Sequence, residues 1–130
     1  MLGWLDDMAK ITLDNTNFRT VVFTGGHTQL TLMSLAPGEE IGWEAHDHLD
    51  QFLRLEQGTA RVELGKTEDG VDETHEIGDD WAFIVPAGVW HNVVNIGEDA
   101  VKLYSLYSPP EHPVGTIQVT KAEAEAAEDH

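Results

Sequence analysis

Short runs of β-type residues recur along this chain, and turn signals rich in Gly, Pro, Asn and Asp separate them. This spacing is typical of an all-β sandwich or barrel. No helical pattern of about ten or more residues interrupts the series, so a parallel α/β sheet with crossover helices is disfavoured. The predicted strands cover residues 18–24, 29–35, 51–56, 59–64, 81–85, 91–96 and 101–108.

The end of the chain differs from this pattern. Residues 108–113 contain three prolines, which cannot donate to a strand ladder, so this segment is predicted to leave the barrel in an extended form. Thr120 and Glu123 then form a capping-box signature, followed by several alanines, which favour helix. We therefore predict a short acidic helix within residues 109–130, after a barrel over residues 18–108.

Composition limits the partners. The 130 residues fit one domain, and 24 acidic against 7 basic side chains give a formal net charge of −17. Such a negative field argues against nucleic acid and anionic membranes as partners. The acidity fits either a salty cytoplasm, where salt screens self-repulsion, or an ordinary acidic protein, and both readings stay open.

Two further features exclude classes of chemistry and location. The chain has no Cys, which rules out disulfides, thiolate metal sites and a Cys nucleophile. Its first residues carry two Asp and no apolar run long enough for a signal peptide, so a cytoplasmic protein is expected.

Residues 1–17 form an N-terminal segment in which Trp4 and Leu5, apolar beside acidic residues, are candidates for a dimer interface.

Candidate ligands cluster at Glu44, His46 and His48. Because side chains two apart on a strand share a face, Glu44 and His46 are predicted to point together into a barrel. Downstream, His91 follows a rigid Pro-Ala-Gly turn that can direct it at this cluster. Alternation also predicts that Gln51 faces inward.

Two sets of spaced residues carry a resemblance to a known family. The first set is Gly38, Glu44, His46, Gln51 and Gly58, and the second is Asp80, Pro86, Gly88, His91 and Asn95. Their spacing resembles the two conserved motifs of the cupin superfamily. The family usually has His, His and Glu where this chain has Glu44, His46 and Gln51, and usually Gly where it has Asp80.

A narrower resemblance rests on three segments. These are residues 50–52, 86–92 and 107–113. They look like a group of small bacterial and archaeal single-domain cupins that are often labelled mannose-6-phosphate isomerase-like. That label rests on likeness of fold, which is poor evidence for a reaction.

The resemblance implies a fold, a site and an assembly. The fold would be a double-stranded β-helix, or jelly-roll barrel, with the short C-terminal helix added, and the protein would be a homodimer. The implied metal ligands are Glu44, His46, Gln51 and His91. Imidazole, carboxylate and amide donors suit a divalent Fe, Mn, Ni or Zn ion better than Cu(I). His48 stays open as an alternative ligand, as a group contacting a ligand, or as a surface residue.

Several functions remain open at this point. The first is a metal-dependent enzyme acting on a small organic substrate, oxygenase-like or isomerase- or lyase-like, in which an unligated Glu44 or His48 would move protons. The second is a small-molecule or sugar-binding cupin without turnover. The third, a sugar-phosphate isomerase-like protein, is weakened because no Gly-rich phosphate loop precedes a helix. The remaining histidines are interpreted as structural residues: His27, His75, His112 and His130.

Overall fold

The structure, a computed structural model, describes residues 2–128, and these form nine β-strands and two short α-helices. The strands are β1 (Arg19–Thr24), β2 (Gln29–Leu35), β3 (Asp50–Gln57), β4 (Ala60–Gly65), β5 (Glu73–Ile77), β6 (Ala82–Val85), β7 (Trp90–Asn95), β8 (Val101–Ser108) and β9 (Ile117–Gln118). The helices are α1 (Met8–Asp14) and α2 (Lys121–Glu128).

The strands form two antiparallel sheets. One has six strands in the order β6-β3-β8-β2-β1-β9, and the other has three in the order β5-β4-β7. In the larger sheet β3 and β8 are neighbours although almost the whole barrel separates them in sequence. This arrangement is the predicted all-β double-stranded β-helix, so that prediction is confirmed.

The sheets enclose the hydrophobic core. Side chains alternate in and out along β3, and the inward residues Gln51, Leu53 and Leu55 are all buried, as predicted. The core consists of Phe18, Met33, Leu35, Leu53, Leu55, Ala60, Val62, Ile77, Val85, Val93, Val101, Leu103 and Ala124. Burial of these apolar side chains holds the two sheets together.

Three elements were missed by the sequence analysis. In β5, only Ile77 is buried, so Glu73 to Glu76 show no inward-facing alternation. Helix α1 has only seven residues and carries no long apolar stripe, although the Asp7 side chain caps it by accepting from Lys10 N. Strand β9 has two residues. Each is too short or too exposed to produce a periodic signal.

The predicted C-terminal helix is present. Thr120 Oγ1 accepts a hydrogen bond from Glu123 N at 3.2 Å, and Glu123 Oε2 accepts one from Val119 N at 2.8 Å. Ala124 is buried and packs the helix onto the core. Among residues 2–128, no helix is long and apolar enough to cross a membrane.

The proline-rich exit after β8 is fastened to the barrel by one side chain. Gln29 is fully buried, and its Nε2 donates to His112 O at 2.7 Å. Its Oε1 accepts from His112 N at 2.9 Å and from Glu111 N at 3.1 Å. These bonds fix the backbone of Glu111 and His112, and so the points from which their side chains project.

Candidate metal centre

Backbone pairing places Glu44 directly opposite His91. Glu44 N donates to His91 O at 3.0 Å, and His91 N donates to Glu44 O at 2.8 Å. Residues opposite each other in an antiparallel pair have their side chains on the same face. His46, two residues after Glu44, is held alongside because its carbonyl oxygen accepts from Gly88 N at 2.8 Å.

The turn Pro86–Gly88 fixes the start of β7. Gly88 has a φ of +84°, in the left-handed region that glycine adopts without strain. Ala87 N donates to Asp50 Oδ1 at 2.9 Å, which ties the turn to the start of β3. His91 therefore projects from a backbone that is held at both ends.

The orientation of the His91 ring leaves one nitrogen free. The side chain is 1% exposed, and Nδ1 lies 3.2 Å from the carbonyl oxygen of Val89. Nε2 has no hydrogen-bond partner and lies 3.7 Å from Glu44 Oε1. A ring that donates through Nδ1 presents an unprotonated Nε2, the form that binds metals.

The His46 ring lies between two carboxylates. Its Nε2 is 3.5 Å from Glu44 Oε1, and its Nδ1 is 3.7 Å from Glu111 Oε1. Both separations suit ion pairs but are long for hydrogen bonds, and Nε2 has no hydrogen-bond partner. The His46 ring centre lies 5.7 Å from that of His91 and 5.9 Å from that of Tyr107, and the Tyr107 ring is nearly perpendicular to the His46 ring.

Burial and neighbouring charges shift the pKa values of Glu44, His46 and His91 in opposite directions. Burial lowers the pKa of His91 below its usual value, and the charge of Glu44 offsets this only partly. Burial also lowers the pKa of His46, but contact with Glu44 and the charge of Glu111 outweigh it, so that pKa is raised. Burial raises the pKa of Glu44, yet the two histidines lower it overall. Glu44 is therefore an anion at neutral pH.

Among residues 2–128, one group of three His or carboxylate side chains has ligand atoms close enough to share an ion: Glu44, His46 and His91. Their atoms all lie within 4.8 Å of one another. Ligands bound to one ion at about 2.1 Å are themselves about 3 to 3.5 Å apart, close to the separations from Glu44 Oε1 given above. Two orphaned imidazole nitrogens and an anionic carboxylate fit a divalent cation.

The two other predicted ligand candidates occupy different environments. Gln51 is 2% exposed, its Nε2 donates to Ser105 Oγ at 2.8 Å, and its Oε1 has no hydrogen-bond partner among the described residues. His48 has a side chain that is 65% exposed and lies 3.6 Å from Glu111 Oε2. His48 is not part of the group of three.

Glu111 had no assigned role in the sequence analysis, although it contacts both His46 and His48. The signal that could have found it is its position between prolines, which restrict the backbone on both sides of Glu111. Of the other histidines, His27 and His75 are exposed, and His112 is half-buried beside Tyr107. His130 lies outside the described residues.

Known proteins are similar to this chain in sequence and in fold. The Cupin domain family model matches residues 31–107 of the chain. The chain is 53% identical over 120 residues to the uncharacterized protein YrkC of Bacillus subtilis (strain 168). The match covers 92% of this chain and 64% of YrkC. The chain is 41% identical over 114 residues to the uncharacterized protein L612 of Acanthamoeba polyphaga mimivirus, covering 87% of the chain and 69% of L612. The chain thus spans less than two thirds of YrkC.

A solved structure gives the same result. The crystal structure of BH2720 from Bacillus halodurans superposes with a TM-score of 0.93 at 48% sequence identity. The match covers 95% of this chain and 93% of that one. The family model covers more than half of the chain, and the match to YrkC extends over 92% of it. The chain therefore belongs to the cupin superfamily.

Proposed function

We propose that this cupin binds one divalent transition metal ion through Glu44, His46 and His91, and uses it to convert a small organic substrate. The observation that carries the proposal is the pair of orphaned Nε2 atoms, on His46 and His91, directed at one carboxylate. A buried polar atom without a partner is destabilising. Two such atoms together are explained by a ligand that both contact.

Gln51 is the proposed fourth ligand. Its amide oxygen is buried and unpartnered, while its amide nitrogen is held by Ser105. The bond to Ser105 fixes which end of the amide is free for a cation. A neutral oxygen binds a cation more weakly than a carboxylate does, so Gln51 contributes less than Glu44.

A bound divalent ion would supply Lewis acidity, which polarises an oxygen atom of a substrate. Residues of the chain would orient the ligand rings and exclude water. The Glu111 carboxylate, 3.7 Å from Nδ1 of His46, favours a proton on that nitrogen, and Nε2 is the nitrogen that would bind the ion. The backbone carbonyl of Val89 does the same for His91. Tyr107, buried against His46, excludes water from one side, and burial raises the pKa of its hydroxyl to about 12, so it stays neutral.

Metal content tests the proposal directly. Protein purified without chelator or affinity tag is expected to hold about one divalent ion per chain after reconstitution, measured by inductively coupled plasma mass spectrometry. His46→Ala should lose that ion, whereas His75→Ala, which removes an exposed histidine of β5, should retain it. A wild-type content below about a tenth of an equivalent contradicts metal binding.

Turnover is a separate part of the proposal. A metal-loaded protein that binds a small molecule without converting it would support the binding-module alternative instead. The mannose-6-phosphate isomerase-like label and the cytoplasmic location stay predictions. So does the homodimer, for which the exposed apolar side chains of Leu2 and Leu5 are the supporting feature. Sedimentation equilibrium would measure the oligomeric state.

A further inference from the structure

Arg19 is a buried cation on the inner side of β1. Along this strand Arg19 and Val21 are the buried residues, and they alternate with partly exposed ones. Arg19 is only 3% exposed, although arginine is almost never fully buried unless it is paired. The side chain therefore lies inside the barrel wall rather than in solvent.

The guanidinium group of Arg19 is incompletely satisfied. Its Nη1 donates to Gln118 Oε1 at 2.6 Å, and its carbon lies 5.3 Å from the ring centre of Phe18. Its Nε is buried and has no hydrogen-bond partner. Among the described side chains, which end at residue 127, no carboxylate forms an ion pair with it. The nearest interaction with an opposite charge is a longer-range one with Glu44. A buried charge without a direct ion pair is destabilising, so its retention needs a reason.

A cavity of about 590 Å³ lies against this group. Its wall includes Arg19, His112, Thr116, Gln118 and Glu123. Arg19 is the basic residue among those that line it, since Glu123 is acidic and its Oε2 accepts a hydrogen bond from Val119 N. The cavity is large enough for a small organic molecule.

His112, which also lines this cavity, has a second unpartnered polar atom. Its Nε2 is buried without a hydrogen-bond partner, while its backbone is clamped by Gln29. Burial, reinforced by the charge of Arg19, lowers the pKa of His112 to about 4, so the ring is neutral at pH 7. A neutral imidazole can donate one hydrogen bond without adding charge.

A chain of aromatic contacts connects His112, which lines the cavity, with the metal centre. The His112 ring meets Tyr107 edge-on at 5.1 Å, and Tyr107 meets His46 edge-on at 5.9 Å. Glu111, the neighbour of His112, contacts His46 from the same segment. The charge of Arg19 also acts on the pKa values of Glu44 and His46, so a molecule bound at Arg19 would lie near the proposed metal ligands.

We propose that Arg19 and His112 bind the carboxylate group of a small organic acid in this cavity. With Nη1 bound to Gln118, the edge formed by Nε and Nη2 is left for the ligand, and this edge matches the two oxygens of a planar carboxylate. One cation in a chain of net charge −17 favours a monoanion over a phosphate dianion. The assignment of this acid as the substrate rests on the proposed function, but the carboxylate site itself needs no metal.

The test uses matched pairs of probes on the whole protein. Benzoate and butyrate are compared with benzamide and butyramide, which have nearly the same shape without the charge, and with inorganic phosphate. Binding is measured by NMR titration at constant ionic strength, on chelator-treated and on metal-loaded protein. Each carboxylate is expected to saturate the site and to bind at least about tenfold more tightly than its amide.

Variants then locate the site. Arg19→Met should weaken carboxylate binding by about tenfold or more, and Arg19→Lys should weaken it too, because lysine keeps the charge but lacks the forked donors. Arg61→Met is the matched control, since Arg61 lies on β4 in the other sheet beside Glu63. It should bind as the wild type does. If Arg19→Met does not fold, Arg19→Lys and the acid–amide comparison in the wild type decide.

Four results would overturn the proposal: no probe acid saturates the protein, the amides bind as tightly as the acids, Arg19 variants bind acids unchanged, or phosphate binds more tightly than the acids. The two proposals fail separately. Arg19-dependent acid binding by a protein that takes up no metal removes only the metal proposal. One equivalent of metal with no acid binding removes only the carboxylate site.

Discussion

The Nδ1 atom of His91 lies 3.2 Å from the carbonyl oxygen of Val89, while its Nε2 lies 3.7 Å from Glu44 Oε1. The two ring nitrogens thus have different tasks, one fixing the ring and the other facing the carboxylate. Since the carbonyl group of Val89 supplies the fixing contact, replacing the Val89 side chain alone does not remove it.

His91→Ala is expected to lower metal affinity by at least about tenfold, because it removes an imidazole donor held in place by backbone contacts. The barrel should remain folded, since His91 is not part of the hydrophobic core. Competition with a chromophoric chelator measures the affinity, and circular dichroism checks the fold. Equal affinity in His91→Ala and wild type would place any bound metal elsewhere.

Gln51→Ala is expected to weaken metal binding less than His91→Ala does, because water can replace a neutral amide oxygen. Gln51→Glu should bind metal more tightly by adding a carboxylate. Without metal it should be less stable at neutral pH, because two carboxylates within about 4 to 6 Å raise one pKa. Calorimetric titration and thermal melts measure the two effects.

Gln57→Glu is the matched control for the second change. It lies on the same strand, β3, but its side chain contacts Ala100 O rather than the metal centre. Tighter metal binding by Gln57→Glu as well would show that added charge alone, and not its position, produces the gain.

Salt should stabilise the protein. The net charge of −17 makes like charges repel at low ionic strength, and screening weakens that repulsion. Raising KCl from about 10 mM to 1 M should raise the melting temperature until screening is complete. A melting temperature that does not change with KCl would remove both the self-repulsion argument and the high-salt interpretation.

His112 should make folding pH-dependent. Its pKa is about 4 in the folded protein, because of burial and the charge of Arg19, against about 6.5 in the unfolded chain. Between these values the unfolded chain binds the proton and the folded protein does not. The free energy of unfolding therefore falls as pH falls from about 6.5 to 4, by on the order of 3 kcal/mol from this group.

His112→Phe keeps an aromatic ring against Tyr107 but cannot take up a proton. Denaturant melts of chelator-treated protein at several pH values should show a shallower fall in the variant than in the wild type. The other charged groups near the ring, Arg19, Glu44 and His46, are present in both proteins. Identical pH profiles would show that the folded protein does not lower the pKa of His112.

Sequence patterns located the strands that alternate or are continuously apolar. The bounds of β2 and β8 were predicted correctly, because β2 is almost wholly buried, β8 alternates between buried and more exposed residues, and turn signals flank both strands. Strand β5 was missed because its first four residues are exposed and polar. A strand that adds only one residue to the core has little hydrophobic pattern to detect.

The same reasoning explains what was found of the site. Spacing predicted that Glu44 and His46 share a face and that His91 is directed at them, and the structure groups these three. Arg19 was missed because one arginine on a strand usually marks the solvent face. Its alternation with Val21 was the available signal, but only the structure shows that this face is the buried one.

The side-chain amide of Gln29 has a consequence beyond anchoring the exit segment. Through three hydrogen bonds it sets where Glu111 and His112 stand, and these residues border the metal centre and the cavity respectively. The distance between the two sites is therefore governed by a residue that touches neither bound species. A change at Gln29 would alter metal and acid binding together. This would resemble allosteric coupling between the two sites, although its cause would be one side chain that positions residues of both.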